Sequence, residues 1–91
     1  APPMLFTQGT GDTVNPPWTS RQLYQSDRDQ DKYYLELLGA DHTTPYWGTN
    51  PAEQVVARVT LAFFDRYLLG QDGALATMRH DADVPGLARL G

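Results

Sequence analysis

Two side chains in this sequence could act together as a proton relay. Asp12 directly follows an apolar run and a glycine-rich turn, and His42 follows a second apolar run 30 positions later. A carboxylate bonded to an imidazole Nδ1–H fixes the tautomer of the ring and stabilises the imidazolium, leaving Nε2 to take a proton from a nucleophile. Spacing alone does not bring the two together; the fold must. The plainer reading of each is a turn aspartate that caps backbone N–H groups and a surface histidine.

The elements that would have to position them can be read from the pattern. Pro3-Met4-Leu5-Phe6-Thr7 is apolar on both faces and stops at Gly9-Thr10-Gly11, which predicts a strand over 3–8, covered on both sides. Residues 17–26 predict a short helix with Trp18, Leu23 and Tyr24 as its apolar contacts. After the polar connection Asp27-Arg28-Asp29-Gln30-Asp31-Lys32, a second, aromatic-rich strand is predicted over 32–38, ended by Gly39. Strand, helix and strand in such a short stretch form a parallel unit with a right-handed crossover. Ligands of open parallel sheets bind beyond the carboxyl ends of the strands. Parallel neighbours place Asp12 and His42 at that same edge. Asn50 as N-cap, Pro51 at N1 and Glu53 at N3 then start a helix expected to run over 51–69, with Gly70 at C′. Its apolar stripe is Val55, Val56, Val59, Phe63, Phe64, Tyr67 and Leu68, with Arg58, Asp65 and Arg66 on the wet side. Residues 71–91 read as a helical turn around Ala74 to Met78 followed by a tail with Pro85 and Gly86.

Composition narrows the function classes. Eleven acidic against seven basic residues, a net charge of −4, supply no basic stripe and argue against a nucleic-acid partner. With no cysteine, the chain holds no disulfide, no thiolate zinc site and no cysteine nucleophile of its own. No apolar run reaches the roughly 18 residues of a membrane span. The start, Ala1-Pro2-Pro3, has neither a charged leader nor an initiator Met and enters a strand almost at once, so it reads as the interior of a longer chain. The compartment is not legible. Two parallel strands and one long helix do not make a self-sufficient sheet. The expectation is an α/β chain, incomplete as a domain, in which 1–91 is the C-terminal segment and 71–91 its tail.

The wording of the segments adds to their spacing. Pro3-Met4-Leu5-Phe6-Thr7-Gln8-Gly9-Thr10-Gly11-Asp12-Thr13-Val14-Asn15-Pro16 resembles the strand-plus-acid segment of α/β-hydrolases, where an apolar strand, a Gly, the catalytic Asp, a Val two residues on and often a Pro recur. Leu37-Leu38-Gly39-Ala40-Asp41-His42 resembles the strand-plus-His segment of that fold, and Asn50 to Leu69 its C-terminal helix. The resemblance covers residues 3–70 and is nearest to the polyester hydrolase (cutinase-like), dienelactone-hydrolase-like and chlorophyllase-like group. It implies a parallel C-terminal βαβα portion, Asp12 and His42 as acid and base of a triad, and carboxylic-ester hydrolysis through an acyl-enzyme, with no metal or organic cofactor. The nucleophile of that fold precedes the acid on a G-x-S-x-G elbow. Only Ser20 and Ser26 are present, both after Asp12 and neither flanked by glycine. A serine or, as in dienelactone hydrolases, a cysteine nucleophile is therefore expected outside these residues, together with the oxyanion donors. Alone, the chain is expected to be inactive.

Other residues carry weaker expectations. Trp18 and Trp47 are candidates for substrate contact, Trp47 with Tyr46 lining a cleft beside His42 or else packing beneath the loop. Asp27, Asp29 and Asp31 imitate the start of a calcium loop, but Lys32 and Leu38 stand where Gly and Glu are needed, which leaves a polar turn. His80-Asp81-Ala82-Asp83 lacks a second ligand cluster and reads as a surface turn. Asp41 is expected to face solvent rather than His42. Besides the ester substrate, the expected partner is the preceding part of the same enzyme or another copy. The rival reading is a non-catalytic, hydrolase-derived module that folds by association with another chain.

Overall fold

The computed structural model describes residues 2–91; Ala1, part of the start discussed above, lies outside them. The elements run β1 (Met4–Gly9), α1 (Pro17–Ser26), β2 (Lys32–Leu37), α2 (Pro51–Tyr67), α3 (Ala74–Ala82) and β3 (Ala88–Leu90), with a 3₁₀ turn over Thr44–Tyr46. The sheet order is β1-β2-β3. β1 and β2 are parallel in the register Met4↔Lys32 to Gly9↔Leu37.

Residues of β2 alternate between two covered faces. Tyr33, Leu35 and Leu37 point into the main core with Val55, Val59, Ala62 and Phe63 of α2, Met78 and Ala82 of α3, and Ala88 of β3. Tyr34 and Glu36 point the other way, where Tyr34 packs edge-on against Tyr24 of α1 and Glu36 pairs with Arg21 at 3.2 Å. Burial on both faces explains why the strand reads KYYLEL rather than as a clean polar alternation.

The region read as a tail is structure. α3 is a full helix, and β3 pairs antiparallel with β2 through Leu35↔Leu90, Glu36↔Arg89 and Leu37↔Ala88. The sheet therefore mixes one parallel and one antiparallel pair, and the expectation of two parallel strands with a single covering helix is corrected. α3 buries Ala74, Met78 and Ala82, one residue per turn and two of them alanines, so its stripe is faint in the sequence. A second correction concerns α1. Of the three expected apolar contacts Tyr24 does meet the sheet, together with Ser20, whereas Trp18 and Leu23 are 67% and 63% exposed.

α2 begins as its sequence dictates: the Asn50 side chain accepts from the Glu53 N–H at 2.9 Å, and Pro51 takes the first turn, where no N–H is needed. Its hydrogen-bonded body ends at Tyr67, two residues short of expectation. Gly70, at φ +68°, closes it by donating its N–H to the Arg66 carbonyl. Phe64 and Leu68, placed above in the apolar stripe, are largely exposed. Among the described residues, no helix is long and apolar enough to cross a membrane.

Candidate active site

β1 and β2 deliver their carboxyl ends side by side, and the two loops that follow are stitched together by backbone. Thr10 N–H donates to the Leu37 carbonyl at 3.0 Å and Gly11 N–H to the Ala40 carbonyl at 2.9 Å. Thr10 Oγ1 accepts from the Gly39 N–H at 2.7 Å. So close an approach leaves no room for side chains. A Cβ on Gly9 would lie 2.3 Å from the Ala40 oxygen, and one on Gly11 2.9 Å from the Gly39 oxygen. The glycines are required here by contact between loops, not by backbone torsion.

The stitched loops bring Asp12 and His42 together. His42 Nδ1 lies 2.8 Å from Asp12 Oδ2, with the histidine side chain 47% exposed and the aspartate 7%. The other carboxylate oxygen, Oδ1, accepts from the N–H groups of Val14 at 2.9 Å and Asn15 at 2.8 Å. Burial works to raise the Asp12 carboxyl pKa, but donation from the Asn15 N–H, the His42 ring and the Val14 N–H outweighs it and holds the carboxyl below its ordinary value. An ionised Oδ2 facing Nδ1 places the ring proton on Nδ1, so Nε2 is the basic nitrogen of a half-exposed imidazole. Such a ring can take a proton from a nucleophile and return it to a leaving group.

Asp41 is engaged elsewhere. Its Oδ1 accepts from the N–H groups of Thr43 at 3.1 Å and Thr44 at 2.7 Å, capping the 3₁₀ turn and fixing the backbone that carries His42. Hydrogen bonds from Thr44, through both side chain and backbone, lower its carboxyl pKa. Asp27 and Asp29 cap their own turn, Asp29 N–H to Asp27 Oδ1 and Asp31 N–H to Asp29 Oδ1. His80 is exposed and 3.3 Å from Asp81.

Both tryptophans project into solvent. Trp47 is 81% exposed, so it does not pack beneath its loop, and Trp18 stands out from the start of α1. The apolar hollow near the His42 loop, about 450 Å³, is instead lined by Pro45, Tyr46, Val56, Thr60 and Phe64. Tyr46 is held there by its hydroxyl, 2.7 Å from Thr7 Oγ1. Neither serine stands beside the pair. Ser26 donates to the Gln22 carbonyl within α1, and Ser20 is buried against Gln8 and Tyr34. That Gln8–Ser20–Tyr34 cluster escaped sequence reasoning; its one signal was a polar side chain next to the end of an otherwise apolar strand. Comparison of the chain with protein-family models, curated proteins and solved structures finds no match.

Proposed function

We propose that this chain supplies the acid and the histidine of an α/β-hydrolase triad, in a serine esterase or lipase-like enzyme that cleaves carboxylic esters through an acyl-enzyme. The observation that carries the reading is the Asp12–His42 bond of 2.8 Å at the carboxyl edge of a parallel strand pair, with the carboxylate anchored by two further donors. In this scheme Asp12 holds the imidazole in one tautomer and stabilises its cation. His42 Nε2 takes the nucleophile's proton during acylation, gives it to the departing alcohol, then activates water for deacylation. The nucleophile and oxyanion donors come from polypeptide outside these residues, a proposal supported by the engagement of Ser20 and Ser26 elsewhere. The outer edge of β1, an edge strand of the sheet, is where that polypeptide would add its strands.

A second reading, a non-catalytic module that docks on another chain, draws on exposed apolar side chains of and beyond α2: Leu61, Phe64, Leu68 and Leu69. Active-site labelling of the complete protein separates the two. A fluorophosphonate, or a thiol reagent for a cysteine nucleophile, is expected to label one residue outside 1–91 and to fail in His42→Ala. Labelling that survives His42→Ala, or that falls on Ser20, would overturn the triad reading.

A further inference from the structure

We propose that Gln8 is a positioning residue for the Asp12–His42 pair, acting through the backbone of Asn15. The inference rests on the catalytic reading of that pair. Gln8 is the penultimate residue of β1 and only 2% exposed. A primary amide buried there must satisfy an acceptor and two N–H donors. Oε1 accepts from Ser20 Oγ at 2.6 Å, while Nε2 donates to the carbonyls of Gly9 and Asn15, each at 2.9 Å. The amide has one orientation, because turning it over would set its oxygen against two carbonyl oxygens. With the Ser20 hydroxyl proton directed at Gln8, the Tyr34 hydroxyl, 2.8 Å from Ser20 Oγ, donates into the serine. Donation thus runs from Ser20 to Gln8 to the Asn15 carbonyl, with the Pro17 carbonyl a longer second acceptor at 3.3 Å from Ser20 Oγ and 3.4 Å from the Tyr34 hydroxyl.

Asn15 is one of the two residues whose N–H groups hold Asp12 Oδ1, at 2.8 Å beside Val14 at 2.9 Å. Its side chain is held as well, with Thr19 Oγ1 2.8 Å from Asn15 Oδ1. The acid turn is otherwise closed by a long bond, Asp12 N–H to the Gly9 carbonyl at 3.3 Å. Gln8 therefore spans the turn, bonding the carbonyls on both sides of Asp12 and fixing where its carboxylate points. Removing the amide leaves the Asn15 carbonyl without its partner and loosens one of the two N–H groups that aim the Asp12 carboxylate at His42.

Gln8→Met keeps length and bulk and removes all three hydrogen bonds. At a pH where the imidazole is neutral, two-bond proton–nitrogen spectra of the complete protein read the His42 tautomer. Wild type is expected to be dominantly Nδ1–H, with Gln8→Met shifted toward the Nε2–H form in the direction of the reference Asp12→Asn. In the complete enzyme the same variant is expected to lower kcat on the order of 10²-fold, with KM little changed. Val59→Ala, a fully buried change in α2, controls for lost stability and should leave the tautomer unmoved. If Gln8→Met does not fold, Ser20→Ala, which removes the donor to Oε1 and the oxygen beside the Tyr34 hydroxyl, must shift the tautomer in the same direction. A tautomer unchanged in the folded Gln8 variant, or equally shifted by Val59→Ala, overturns the role of Gln8 while leaving the pair intact. A tautomer unmoved by Asp12→Asn overturns the pair itself.

Discussion

Gly9→Ala tests how the two loops are held against each other. Gly9 does not occupy the left-handed region, so its torsions alone do not oppose alanine. Such a substitution without other consequences stabilises by about 0.4–1 kcal/mol, through the unfolded chain. Here the new Cβ would meet the Ala40 oxygen at 2.3 Å and the Asp41 oxygen at 2.8 Å, both backbone atoms. Reaching the 3.0 Å floor of real contacts requires a separation of about 0.7 Å. Passed on to the Asp12–His42 bond, now 2.8 Å, that shift gives about 3.5 Å, the outer limit of a hydrogen bond. Overpacking of this kind costs about 1–3 kcal/mol, a fall in Tm of roughly 4–24 °C for a domain of this size. Thermal unfolding by circular dichroism measures the fall, and the His42 ring nitrogen shifts report the bond. Gly73→Ala, where a Cβ meets nothing within 4 Å, should show no overpacking loss, its stability staying within about 1 kcal/mol of wild type. A Gly9→Ala chain as stable as wild type, with His42 unmoved, would refute the close approach of the loops.

Met78→Ala empties a fully buried position where α3 meets the core and should cost about 2–5 kcal/mol by urea unfolding; a cost near zero would mean that α3 does not pack on the sheet. Asn50→Ala removes the cap of α2 and should cost about 1 kcal/mol, against a few tenths for Asn50→Gly. Because Asp12 titrates lower in the folded than in the unfolded chain, the stability it contributes is complete above the unfolded value of about 3.9 and is lost as pH falls through the lower folded value. Wild type and Asp12→Asn should therefore differ in stability at about pH 6 and approach each other as pH falls below the unfolded value; a separation independent of pH would show that the carboxylate charge is not involved.

The parts legible in the sequence are those where one strong local signal decides. The Asn50-Pro51-Glu53 start of α2 and the apolar runs of β1 and β2 are of that kind, and the ends of these elements lie within two residues of expectation. Neighbouring parallel strands also imply which loops share an edge, which is how residues 30 positions apart can be foreseen as meeting. β3 was not legible because three residues, Ala88 to Leu90, are too few to show a period, and their pairing with β2 is decided by tertiary contact. The face of α1 was misread because a buried polar residue, Ser20, occupies the contact that an apolar stripe would assign to Trp18 or Leu23. Gln8 was silent for the same reason: hydrogen-bond partners of a buried amide leave no periodic trace.

The central proposal, that Asp12 is the acid serving His42 in an esterase, is tested most directly by kcat for ester hydrolysis in the complete protein carrying Asp12→Asn or Asp41→Asn. Asp12→Asn removes the charge facing Nδ1 and is expected to lower kcat on the order of 10⁴-fold, by analogy with the Ser-His-Asp triad. Its loss should not add to that of His42→Ala, because the two residues act as one unit. Asp41→Asn keeps an oxygen able to accept from Thr43 and Thr44 and should cost far less. Turnover abolished by Asp41→Asn and left near wild type by Asp12→Asn would contradict the assignment.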